Sequence, residues 1–203
     1  MQGILQRYGV LGMLRLARDL IHTKIFYPGA RVVRMPAYVR GARYIRWGAN
    51  FTTGVGMRLD AFPDSDLIVI SIGNDVQLND YVHIAAIQNV SIGDHSLIAS
   101  KVFISDHNHG QYAEFDPHNH PDMPPSQRPL LSKPVRIGAR VWIGEHVCIM
   151  PGVSIGDGAI IGAGAIVTSD IPANTIAVGS PARVVKYYES TIGMWQQKIV
   201  SKK

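Results

Sequence analysis

The sequence predicts a mainly β fold, a solenoid of short parallel strands that turns after every six residues and closes a triangle after three such steps. Three observations carry this. Aliphatic residues recur six apart at Ile137, Ile143, Ile149, Ile155, Ile161 and Val167, and four of them precede a Gly. A second series of small or branched residues, Val141, Val147, Val153, Ala159 and Ala165, runs two positions ahead of the next aliphatic. Aromatic residues make up only 8% of a chain that is 46% hydrophobic, as a narrow aliphatic interior demands. The same phase appears earlier at Ile72, Leu78 and Ile84. After a slip of two residues it resumes at Ile92, Ile98 and Ile104, with Val76, Val82, Ser96 and Val102 in the second inward position.

A period of six excludes a helix, which would scatter these side chains around its axis and lose about 1 kcal/mol at each interior Gly. Strand alternation alone has period two. A strand of two or three residues followed by a tight corner accounts for both series, with the aliphatic pointing inward and the small residue easing the turn. The coils are predicted over residues 45–183. Before them, Ile4, Leu5, Tyr8, Leu11, Leu14, Ala17, Leu20 and Ile21 fall at helical spacing with Arg7, Arg15, Arg18, His22 and Lys24 between, so an amphipathic helix is expected within a basic arm of residues 1–44. Residues 184–203 are expected to form a strand or short helix capping the open end of the core, as solenoid ends require.

Composition narrows the function. The net charge of +5 divides into +8 over residues 1–46 and −3 over the rest, so the basic character belongs to the arm, and nucleic acid is not an expected partner. The single cysteine, Cys148, forms no internal disulfide and fits a reducing, cytoplasmic setting. Its slot before the inward Ile149 suits wall packing better than nucleophilic chemistry. The longest uncharged stretch, between Asp80 and Asp94, is 13 residues, too short to span a membrane, and Arg15, Arg18 and Asp19 interrupt a signal-peptide layout. A basic amphipathic helix nevertheless suits either docking on the coil or peripheral contact with an anionic membrane on its cytoplasmic face.

The segments Leu78-Asn79-Asp80-Tyr81-Val82-His83-Ile84, Ala99-Ser100-Lys101-Val102-Phe103-Ile104-Ser105-Asp106-His107-Asn108-His109 and Val141-Trp142-Ile143-Gly144-Glu145, set in this hexad pattern, resemble the hexapeptide-repeat O-acetyltransferases. The likeness is strongest to the bacterial lipopolysaccharide and capsule branch, near the maltose and galactoside enzymes. It spans about residues 45–188 and implies a left-handed parallel β-helix, a homotrimer with its cleft between adjacent subunits, and acetyl-CoA as co-substrate, with no metal expected. The acceptor it implies is a sugar hydroxyl of O-antigen, capsule or a lipid-linked precursor.

The hexads stop at 105 and resume near 134, leaving about 30 residues with six prolines and four of the eight histidines, 107, 109, 118 and 120. Such an insert in a compact repeat is usually functional. In the resembled family the loop leaves the coil here and the His at its base is the general base, which makes His107 the expected catalytic residue. A sugar hydroxyl must lose its proton as it attacks a thioester, and imidazole titrates in the right range for that work. The acceptor-binding residues expected on the same ground are Asn79, His83, Asp106 and His109. An acidic residue typical of the galactoside enzymes is Ile87 here, which disfavours a small free sugar. For the donor, the resemblance implies Trp142, Gly144, Ala163, Gly164, Thr168, Arg183 and Lys186, small residues against which pantetheine can lie and cations for phosphates. Ser169 replaces a Lys common at its position. Coil packing is the alternative role of Ala163 and Gly164, and turn formation that of Asn79.

Other readings remain at this level. They are acetylation of a small acceptor such as an antibiotic, a sugar or serine; a zinc hydratase of the same fold; and an inactive scaffold. The long helical N-terminal domain of the serine enzymes has no counterpart here. The pairs His107-x-His109 and His118-x-His120 lack a standard zinc signature.

Overall fold

The computed structural model describes residues 4–110 and 120–197. Numbered along the chain, its strands form three parallel sheets that are the faces of a triangular prism. Face 1 stacks β1 (Tyr38–Arg40), β4 (Arg58–Ala61), β7 (His83–Ala86), β10 (Phe103–Ser105), β15 (Cys148–Ile149) and β18 (Ile166–Val167). Face 2 stacks β2 (Ile45–Trp47), β5 (Ile70–Ile72), β8 (Val90–Ile92), β13 (Val135–Ile137) and β16 (Ser154–Ile155). Face 3 stacks β3 (Thr52–Thr53), β6 (Gln77–Leu78), β9 (Leu97–Ile98), β14 (Trp142–Ile143), β17 (Ile160–Ile161) and β19 (Thr175–Val178). The chain visits the faces in the order 1, 2, 3, forming the parallel β-helix that the hexads predict.

The register turns the sequence period into a packed interior. Ile84 pairs with Ile104, Ile104 with Ile149 and Ile149 with Val167, and each is fully buried. Equivalent columns run through Ile72, Ile92, Ile137 and Ile155 on face 2, and through Leu78, Ile98, Ile143 and Ile161 on face 3. Each such side chain contributes roughly 1.5–3 kcal/mol by leaving water. At many corners, a residue three places after the inward aliphatic is in the left-handed region, as at Asp75, Tyr81, His95, Lys101, Arg140 and His146, with Gly158 and Gly164 in the same slot further on. One ring does enter the core. Phe51 is fully buried in the first coil, where the inward residue beside it is the small Thr53.

Helix α1 (Ile4–Phe26) is broken at Gly9, whose φ of 64° a side-chain-bearing residue adopts only with strain. The helix docks on the first coil through a different face from the one its apolar spacing suggested. Asp19 and Thr23 are the buried pair: Thr23 Oγ1 accepts from Val33 N at 2.8 Å and donates to Asp19 O at 2.6 Å. Leu11, Leu14, Leu20 and Ile21 are exposed, as are Val10 and Ile25. Solenoid pairing also begins before residue 45, since Val32 bridges Thr52 and β1 pairs with β4. At the far end, β20 (Arg183–Glu189) and β21 (Met194–Gln197) continue face 3 as an antiparallel meander.

Departures from an 18-residue coil collect at one corner. Cys148 pairs with Ile166, 18 residues on, whereas Tyr38 pairs with Arg58, Arg58 with His83, His83 with Phe103 and Phe103 with Cys148, at separations of 20, 25, 20 and 45. The extra residues all emerge between a face 1 strand and the next face 2 strand. They are the turn after β1, the segment after β4, the two-residue slip after β7 and the long loop after β10.

Candidate active site

The long loop begins with Asp106, which is fully buried, and continues as β11 (His107–His109), paired antiparallel with β12 (Leu130–Ser132). The slip one coil below supplies its partners. Because two residues are added after β7, the backbone at 87–89 bulges into an arc of N–H groups, and Ile87, Gln88 and Asn89 donate to the Asp106 carboxylate at 3.1, 2.8 and 2.7 Å. Burial alone would raise this carboxyl. The hydrogen bond from His107 and the three backbone donors outweigh burial and lower it.

An ionised Asp106 only accepts hydrogen bonds, so the 2.8 Å contact to His107 Nδ1 places a proton on that nitrogen. In the neutral ring this tautomer leaves the lone pair on Nε2. The imidazole is about one-fifth exposed and lines a cleft of about 360 Å³ with Ser105, His109, Ala85, Phe103, His83, Phe62, Asp60 and Arg40. His107 and His109 share a face of β11, since strand side chains repeat every two residues. This cleft can orient a hydroxyl against Nε2 and accept its proton.

A second buried carboxylate sits further along face 1. Asp60 takes a two-pronged contact from Arg40 at 2.6 and 2.7 Å, a third bond from Arg58 Nε at 2.8 Å, and His83 Nε2 at 3.1 Å. Burial opposes its ionisation, but Arg40, His83 and Arg58 together hold its pKa at about 2. Burial pushes His83 below the usual histidine range and Asp60 only partly offsets this, so at neutral pH Nε2–H donates to Asp60. The His83 ring lies 5.3 Å from that of Phe103.

The residues expected at the site fall into two groups. His107, His109 and His83 line the face 1 cleft. Asp106 has no exposure, so it holds His107 and does not touch the acceptor as expected. Asn79 stands at the other edge of face 1, in a cavity of about 720 Å³ between α1 and face 3 that Arg31, Arg34, Gln77 and Ser100 also line. Neighbouring Asp80 is structural there, its carboxylate accepting from Val55 N at 2.9 Å. The expected donor residues Trp142, Gly144, Ala163 and Gly164 occupy face 3 and that same corner, with Trp142, Ala163 and Gly164 exposed. Gly144 also has a packing reason, since a Cβ there would lie 2.6 Å from Ala163 N in the next coil. Thr168 is exposed after β18, and Arg183 and Lys186 lie on β20. Cys148 is a half-buried wall residue. His118 lies outside the described residues, and His120 is 3.4 Å from Asp122 at the surface. Among the described residues, no three His, Cys, Asp or Glu side chains group as metal ligands do.

Arg40, Arg58, Asp60 and Phe62 are absent from the sequence-based site. Their relation to His83 depends on a 25-residue coil, and the hexad phase below Ile72 does not reveal it. The two-residue slip was visible and marked the arc that holds Asp106.

Residues 134–169 match the family model described as bacterial transferase hexapeptide (six repeats). Over 192 residues, 95% of this chain and 96% of the other, the chain is 47% identical to the proposed lipopolysaccharide biosynthesis O-acetyl transferase WbbJ of Escherichia coli K12. A maltose O-acetyltransferase structure from Clostridium difficile 630 superposes with a TM-score of 0.53 at 30% identity, covering 76% of this chain and 65% of that one. A galactoside acetyltransferase solved in complex with coenzyme A gives a TM-score of 0.50 at 30% identity, covering 78% and 72%.

Proposed function

Because the chain belongs to the hexapeptide-repeat O-acetyltransferase family, we propose that it moves an acetyl group from acetyl-CoA to a sugar hydroxyl of O-antigen, capsule or a lipid-linked precursor. The observation that carries this reading is the Asp106–His107 pair, with Nδ1 held by a buried carboxylate and the imidazole lining the cleft. The acceptor hydroxyl donates to Nε2. As its oxygen bonds to the thioester carbonyl carbon, the proton passes to His107, and Asp106 stabilises the imidazolium. Collapse of the tetrahedral adduct breaks the carbon–sulfur bond, and the departing thiolate takes that proton, leaving an acetyl ester and coenzyme A. No covalent enzyme intermediate is needed.

Acetyl-CoA is assigned to the face 3 corner, where Trp142, Ala163 and Gly164 leave room for pantetheine and Arg183 and Lys186 meet the phosphates. Within one chain this corner and Asn79 lie across face 1 from His107. A homotrimer that sets the corner of one copy beside the His107 edge of the next completes the site, with His83 and His109 on the acceptor side. Residues 1–27, with exposed Val10, Leu14, Ile21 and Ile25 among Arg15, Arg18 and Lys24, would bring the enzyme to an anionic membrane surface on the cytoplasmic side. No described helix is long and apolar enough to cross a membrane.

His107→Ala is the test. Acetyl transfer should fall at least ~10²-fold, the low end of general-base contributions, while acetyl-CoA affinity by isothermal titration stays nearly unchanged. Activity within a few-fold of wild type removes His107 from this role.

A further inference from the structure

The mechanism uses His107 and its holder but leaves the Arg40–Arg58–Asp60 cluster unexplained. Two guanidiniums share one carboxylate there, and His83 beside them is neutral, so the cluster carries a net positive charge. Asp60 is buried, but the Arg40 and Arg58 side chains are each about half exposed. Arg40 presents one edge to Asp60 and lies over the Phe62 ring, 5.2 Å from its centroid. Arg58 reaches Asp60 through Nε, and among the described residues its terminal nitrogens make no hydrogen bond. The carboxylate fixes both forks in place before any ligand arrives, which lowers the entropy cost of using them.

Position gives the cluster a purpose. Arg40 lines the His107 cleft and also a second depression, bounded by Ala37, Tyr38, Val39, Gly56 and Arg58. Arg40 therefore stands between two neighbouring depressions on face 1, and Arg58 lines the second of them. A sugar carboxylate hangs from a single ring, whereas a phosphate diester or diphosphate is itself the link between two groups, which suits an anion held between two depressions.

Building on the reading of this chain as a sugar O-acetyltransferase, we infer that Arg40 and Arg58 form a subsite for a phosphoryl or diphosphoryl group that links the acceptor sugar to its carrier. The sugar then occupies the Phe62–Phe103–His107 cleft and the carrier runs toward Tyr38.

The test is isothermal titration of inorganic pyrophosphate into the full-length protein already saturated with coenzyme A, so that the donor's phosphate contacts are filled. Wild type should bind pyrophosphate at least tenfold more tightly than glucuronate, the terminal-carboxylate probe. Arg58→Gln should weaken pyrophosphate at least about tenfold, as expected for loss of a charge-assisted contact, and Arg58→Lys should recover most of it. Because Arg40 keeps its two bonds to Asp60 in these variants, their unfolding temperature should stay close to wild type. Wild type that fails to bind pyrophosphate, or Arg58→Gln and Arg40→Gln proteins that bind it as wild type does, overturns the subsite. Coenzyme A titration separates the two conclusions. A protein that binds no coenzyme A loses the acetyl-transfer reading, and pyrophosphate titrated into it without coenzyme A still tests the two arginines.

Discussion

Replacing Asp106 with Asn changes one atom and should damage catalysis and stability by separate routes. In the native site Oδ2 accepts from Gln88 N and Asn89 N at 2.8 and 2.7 Å, while Oδ1 faces His107 Nδ1 at 2.8 Å. An Asn amide keeps the two short backbone bonds only by placing its oxygen at the Oδ2 position, which puts its NH2 against His107. Nδ1 must then accept, so the ring proton moves to Nε2 and the cleft-facing nitrogen has no lone pair for the acceptor hydroxyl. The rate should fall by roughly 10²–10⁴-fold, the range of a lost general base or a wrong tautomer. Two charge-assisted backbone bonds, each about 1.5–3 kcal/mol, become neutral ones of about 0.5–1.5 kcal/mol, so stability should drop by roughly 2–3 kcal/mol. Release of coenzyme A thiol measures the rate, urea unfolding the stability, and calorimetry should show unchanged acetyl-CoA affinity. An Asp106→Asn enzyme with kcat/KM within threefold of wild type refutes the tautomer argument. An unchanged urea midpoint refutes the role of the 87–89 arc.

Acid should destabilise the fold in two stages. The lowered His83 favours the native state above pH about 6.5, and this contribution fades on acidification. The Asp60 contribution is full above about pH 4 and is lost toward pH 2, as is that of the lowered Asp106. With its arginine partners half exposed, Asp60 accounts for about 1–2 kcal/mol, and Asp60→Asn should flatten the lower stage of a urea-midpoint series against pH. Deleting residues 1–27 should reduce cosedimentation with anionic vesicles while leaving neutral vesicles indifferent to both proteins; equal binding by the two forms rules out the helix as a membrane contact. Gly144→Ala forces the corner away from Ala163 and should cost about 1–3 kcal/mol and weaken acetyl-CoA binding, both read on the purified protein by urea unfolding and calorimetry.

The solenoid was legible because each inward aliphatic from Ile72 to Val167 reports its own place in a coil, and the loop because a strict period makes its interruption plain. The place of His107 at the base of that break was legible, while the role expected of it came from the family resemblance. The docked face of α1 was not, because its contacts are the polar Asp19 and Thr23, which bond to the backbone at 33–35 and leave no mark in an apolar pattern. Phe51 escaped for a similar reason, since its room comes from Thr53 in the same coil and not from a repeat. The Arg40–Asp60–His83 cluster joins residues 20 and 23 positions apart across coils of unequal length, a relation that exists only once the register is known.

The loop that carries His107 returns to its point of departure. Gly110 N donates to Pro129 O at 2.8 Å and Lys133 N to Asp106 O at 2.7 Å, so the two ends of the excursion are stapled at the prism edge. Closing a longer excursion between those bonds costs only about 0.6 kcal/mol per doubling of length. The edge thus works as a socket. Lengthening or exchanging the chain inside the Gly110–Pro129 bond should leave in place the bonds that hold His107 and Asp106 in register, so the excursion and the frame are free to change independently.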